Sequence, residues 1–131
     1  MEKLTMKSSQ GLELQKLVEQ LKDAINKKKY IRFYYESKSF CGYRRVEPYL
    51  LGELRNHGVA LRGFFVPTKE QVAEHGLTAG WKLYILDKID LLRLEVLEEG
   101  YEYTRYGYNT SDRDFSDIYA YTKLKPRYAR I

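Results

Sequence analysis

At four places the chain sets a cation two residues from an aromatic ring: Arg32 with Tyr34, Tyr43 with Arg45, Arg62 with Phe64, and Lys82 with Tyr84. Residues i and i+2 of a strand share a face, so each pair presents charge and ring together. A cation neutralises phosphate, and a ring stacks on a base for roughly 1–3 kcal/mol. Four such pairs on neighbouring strands would make a surface for single-stranded nucleic acid or a nucleotide. The same residue types also have a plainer use: the rings complete a core and the cations blunt sheet edges against aggregation.

Other chemistry has less support. The single cysteine, Cys41, has no ligand spacing with His57 or His75, so no metal framework is visible. A Cys41–histidine nucleophile would need a meeting in space that nothing local prepares. Gly52, Gly58 and Gly63 are isolated, unlike a phosphate-cradling loop. Neither catalysis nor a cofactor is expected.

Composition agrees with an anion-binding role. The 131 residues carry a formal net charge of +5, which suits nucleic acid or a nucleotide. Thirteen tyrosines against five phenylalanines favour a wet aromatic face over a dry core. One cysteine excludes an intrachain disulfide. The N-terminus lacks the apolar region of a signal peptide, and no apolar run approaches a membrane span. A cytoplasmic location is expected.

The elements that must position these residues follow from periodicity. Residues 1–10 are polar and expected to fray. Leu14, Leu17, Val18, Leu21, Ala24 and Ile25 predict an amphipathic helix ending at Lys27-Lys28-Lys29. Alternation predicts strands over 30–35, 43–51, 59–66, 81–86 and 89–96, with Pro48 at an edge or bulge. In 81–86, Trp81, Leu83 and Ile85 are read as the core side, with Lys82 and Tyr84 outward. The long polar loop 67–80 has room for a helical turn at 69–74. Ser111-Asp112-Arg113-Asp114 resembles a capping box, predicting a short helix to about Tyr121, before a basic tail over 123–131. The fold class is therefore mainly β with a leading helix (α+β): a small barrel of about five strands, with a short C-terminal helical extension.

Three motifs resemble the WYL domain family. Arg44-Arg45-Val46-Glu47-Pro48 matches its R-x-V-E-P motif, and Leu61-Arg62-Gly63-Phe64 resembles its L-R-A-Y strand. The stretch from Gly80 to Ile89 resembles its closing W-K-L-F-R-L-D-K-I motif, so the resemblance covers roughly 14–97. It implies an Sm-like, SH3-type barrel over 11–98, with a Tyr-rich extension over 99–131 like that of stand-alone members. It further implies a ligand-sensing part of bacterial transcription regulation, with links to phage defence. The implied ligand is nucleic acid, often single-stranded, or a nucleotide, with Arg44, Arg62, Lys82 and Tyr84 at the matching positions. Val59-Ala60-Leu61 stands near where the literal Trp-Tyr-Leu is missing, and Ile85 stands where many members place an arginine.

The candidate ligand-binding set is thus Arg32, Tyr43, Arg44, Arg45, Arg62, Lys82 and Tyr84. The first thirty residues cannot form the winged helix of a complete regulator, so a stand-alone accessory or a fragment is expected, with Met1 favouring the former. The alternative is a protein-interaction accessory module that dimerises or docks on a larger regulator or enzyme without its own nucleic-acid ligand.

Overall fold

The computed structural model describes residues 8–38 and 40–125. A leading helix, α1 (Ser8–Lys27), precedes strands β1 (Lys29–Glu36), β2 (Cys41–Leu54) and β3 (Val59–Phe65). Helix α2 (Lys69–His75) and strands β4 (Gly80–Ile85), β5 (Ile89–Gly100) and β6 (Phe115–Tyr121) follow. All strand pairings are antiparallel, in the order β4-β3-β2-β1-β5, with β6 also on β2.

Helix α1 forms where the apolar spacing predicts. It lays Leu17, Leu21, Ala24 and Ile25 on the inner face of the sheet, against Ile31, Phe33, Val46, Leu61, Phe65 and Tyr84. Burying a side chain of this size contributes about 1.5–3 kcal/mol. The helix stops at the lysine run, where Lys28 adopts a left-handed conformation (φ 54°) and turns the chain into β1. Ser8 begins the helix, so only residues 1–7 of the expected frayed segment lie outside the described residues, as do residues 126–131 of the basic tail. Thr68 and Gln71 form a reciprocal capping box that starts α2 in the loop where a helical turn is expected.

β2 organises the sheet. Its first half pairs with β1 as far as Val46, and its second half pairs with β6 from Leu50 to Leu54, while β3 runs along the opposite edge. The β2–β3 register shifts between Pro48 and Leu50, so Pro48 sits at a bulge as expected of a residue without an N–H.

Two expectations are corrected. The sheet has six strands and is open, not a closed five-stranded barrel: β4 and β5 do not pair, and a single 3-10 turn (Leu86–Lys88) joins them. The Tyr35 hydroxyl bridges part of that gap by accepting a hydrogen bond from the Ile85 amide (3.1 Å). The expected C-terminal helix is strand β6. Asp112 Oδ1 accepts from the Asp114 amide (3.0 Å), forming an Asx turn in place of the helix cap that the sequence suggests. Beyond Val46 the β2 edge needs a backbone partner, and the aromatic-rich 115–121 supplies one. Phe115 seals a second apolar cluster with Leu50, Leu54 and Ala60 on the outer face.

Candidate functional site

Cross-strand register fixes which predicted residues share a face. Arg32 lies opposite Arg45, and Tyr34 opposite Tyr43, on the outer face of β1 and β2. Two arginines directly opposite repel. Each leans away over a ring: Arg32 over Tyr43 and Arg45 over Tyr30, both at 3.9 Å from the ring centre. Tyr34 meets Tyr43 edge-on (5.4 Å, 78°), and Arg93 from β5 lies over Tyr34 at 4.6 Å. Three guanidiniums and three tyrosines thus interleave across β5, β1 and β2. Each cation also has an exposed carboxylate: Arg32 with Glu95 (3.5 Å), Arg93 with Asp90 (3.4 Å), and Arg45 with Glu99. Exposed pairs of this kind contribute little to stability, so an incoming anion displaces them at small cost. A cleft of about 400 Å³ opens beside Tyr34 and Arg93, between Glu36 and Asp87–Asp90.

The other predicted residues do not join this patch. Arg62 and Phe64 share the outer face, with Phe64 opposite both Glu47 and Trp81. Arg62, however, is held by Asp112 (2.8 Å) and Asp114 (2.6 Å). Lys82 and Tyr84 lie on the inner parity, opposite Gly63 and Leu61. This corrects the reading of β4. Tyr84, 4% exposed, is in the main core, edge-on to Phe33 (5.1 Å) and Tyr35 (5.0 Å). Trp81, Leu83 and Ile85 are instead half-buried beneath the C-terminal extension side. Desolvation raises the Tyr84 hydroxyl above its ordinary pKa. Lys82 is exposed and has no hydrogen-bond or ion-pair partner among the described residues. Arg44, 6% exposed, also points inward. It donates to Phe40 O (2.8 Å), Ser37 Oγ (3.3 Å) and Gly42 O (3.5 Å), with Phe40, Tyr35 and Phe65 rings around it. Burial lowers its pKa from arginine's ordinary value. Its contacts tie the β1–β2 turn to the core.

The extension occupies the rest of the outer face. Glu47, 1% exposed, accepts from Tyr30 Oη (2.6 Å), Tyr49 Oη (2.8 Å), and Arg105 Nε (3.0 and 3.1 Å) and Nη2 (2.7 Å). The Arg105 guanidinium lies 4.4 Å over the Phe64 ring. Around it Tyr49 packs on Trp81, Tyr101 and Tyr108 at 4.8–5.0 Å, and Trp81 Nε1 donates to Tyr106 O (3.0 Å). Burial first, then the Glu47 carboxylate, raises the pKa of Tyr30 and Tyr49. Hydrogen bonding to Glu47 raises that of Arg105.

Sequence reasoning missed Arg93, Tyr30 and the Glu47–Arg105 pair. Unbroken alternation from the buried Ile89 would place Arg93 inward, and the bulge in β5 turns it outward over Tyr34. Glu47 did carry a signal, since a lone carboxylate in the apolar run Val46 to Leu51 implies a buried partner. Among the described residues no group of three or more His, Cys, Asp or Glu side chains is arranged to hold a metal ion, and no helix is long and apolar enough to cross a membrane.

No model of a known family matches the chain, and no curated protein matches it. Among solved structures it resembles Proteasome accessory factor B/C (PafBC) of Arthrobacter aurescens, with a TM-score of 0.51 and 23% sequence identity. The likeness covers 69% of this chain and 13% of that one. It bears on the fold, and supports the WYL-like fold that the motifs imply.

Proposed function

We propose that this chain is a WYL-like ligand-sensing or regulatory module that binds single-stranded nucleic acid or a nucleotide on the outer face of β5, β1 and β2. The Sm-like, SH3-type character implied by the family resemblance and the cytoplasmic setting expected from the N-terminus and the single cysteine belong to this reading, and it has no catalytic step. The observation that carries it is the interleaving of Arg93, Tyr34, Tyr43, Arg32, Arg45 and Tyr30. Phosphates would replace Asp90, Glu95 and Glu99 as partners of the arginines, and bases would stack on Tyr43 and on the guanidinium planes. Arg32, Arg45 and Tyr43 are the binding residues of this proposal, joined by Arg93. Arg62, Arg44 and Tyr84 act as supports, and Lys82 stands apart.

The test is fluorescence anisotropy of a labelled oligo-dT and a labelled adenine nucleotide across a salt series. Binding should weaken with a log–log slope of about −0.7 per phosphate neutralised on a single strand. Arg32→Ala/Arg45→Ala should reduce affinity at least about tenfold and shrink the slope by about 1.4. Absence of binding to either probe at low salt would reject the reading.

One observation favours the second reading, a protein-docking accessory. Every arginine of the patch already has a carboxylate, leaving a surface of mixed charge like a protein-interaction rim. Unchanged oligonucleotide affinity in the double variant would favour it.

A further inference from the structure

The β1–β5 register jumps from Phe33↔Leu94 to Tyr35↔Ile89, so Tyr34 alone faces the four residues Asp90, Leu91, Leu92 and Arg93. This bulge is internally braced. The Leu92 amide donates to Asp90 Oδ1 (3.0 Å), and Asp90 also pairs with Arg93 (3.4 Å). The brace holds Leu92 92% exposed. Apolar side chains this open are common singly, but this one stands beside an apolar groove. The groove, about 670 Å³, runs along α1 past Leu12 (56% exposed), Lys16 and Glu19, with Leu91 and Leu92 at its rim.

We propose that α1 and the Leu91–Leu92 tip of the β5 bulge form a two-fold interface between two copies of this chain. A projecting knob next to a groove on one surface is what an isologous contact requires, because each copy then seats its knob in the other's groove. The charges satisfy the same symmetry. Lys16 and Glu19 lie one turn apart on the groove wall, so antiparallel crossing of α1 with its partner sets Lys16 against the opposing Glu19, twice. The patch is locally balanced, although the whole chain carries +5. Leu92 projects toward the α1 side while Arg93 lies over Tyr34 on the outer face, so dimerisation leaves the arginine–tyrosine patch free.

Sedimentation velocity on the full chain, from about 1 to 200 µM, tests this. Wild type should shift from monomer to dimer with concentration. Leu92→Glu should weaken the dimer at least about tenfold while leaving the thermal melt unchanged at dilutions where both proteins are monomeric, because the substituted side chain is exposed. Lys16→Glu should weaken it through Glu–Glu repulsion, and Lys16→Glu/Glu19→Lys should restore it. A wild-type monomer throughout the range, a dimer indifferent to Leu92→Glu, or failure of the charge reversal to restore association would each overturn the proposal. A persistent monomer would leave the groove to a different partner protein.

Discussion

Glu47 lies in a run of β2, Val46 to Gly52, that is buried throughout. Removing a carboxylate from water costs several kcal/mol unless hydrogen bonds and an opposite charge repay it. Arg105 and two tyrosine hydroxyls do so here, and they also tie the extension to the sheet. Glu47→Gln keeps the shape but removes the charge and presents N–H groups to donors. It should lower unfolding free energy by about 2–3 kcal/mol in urea titration, since the half-exposed Arg105 recovers part of its hydration. Arg32→Ala or Arg45→Ala removes only an exposed pair and a ring contact, and each should stay within about 1 kcal/mol of wild type. That contrast separates residues that hold the fold from those available to a ligand.

At the scale of elements, β2 depends on two glycines for close approach. A Cβ on Gly52 would lie 2.2 Å from Asp117 O and 3.0 Å from Ile118 Cα of β6. A Cβ on Gly63 would lie 2.4 Å from Val46 Cγ1 and 2.9 Å from Glu47 O. The first contact involves backbone, which cannot rotate away. Gly52→Ala should therefore push β6 off β2 at a cost of about 1–3 kcal/mol. Amide hydrogen exchange should show β6 losing protection while β1 and the first half of β2 keep theirs. Equal loss across all strands would contradict a local role for this glycine.

Across the whole molecule, burial raises the pKa of Tyr30, Tyr49, Tyr84, Tyr101 and Tyr108 above tyrosine's ordinary value of about 10. The folded chain then holds more protons than the unfolded chain once pH exceeds about 10. The stability contributed is complete below that pH and declines as pH rises further. Tyrosinate absorbance followed alongside far-UV circular dichroism should show these hydroxyls ionising together with unfolding. Ionisation completed while the sheet remains intact would refute this. The five rings divide between the inner core and the extension-covered outer face, so the transition should be shared by both layers.

The sequence by itself determined the leading helix, the first five strands and an edge or bulge at Pro48, which the β2–β3 register made a bulge. Those signals are local: apolar period, alternation, and a residue without an N–H. It also determined that Arg32 shares a face with Tyr34, and Tyr43 with Arg45, because parity holds along unbroken strands; the β1–β2 register then set the two pairs side by side. Tertiary structure alone decided which side of β4 is core. Both faces of that strand are apolar enough to bury, and α1 covers the side bearing Tyr84. It alone turned 115–121 into a strand, since the demand came from the unpaired second half of β2, some sixty residues earlier in the chain. The four cation–aromatic pairs of the sequence met three fates for the same reason. Those on β1 and β2 stayed open and gained Arg93 through a bulge, the one on β3 was matched by Asp112 and Asp114, and the one on β4 was split between core and solvent. Which charge stays available depends on what the rest of the chain lays over it.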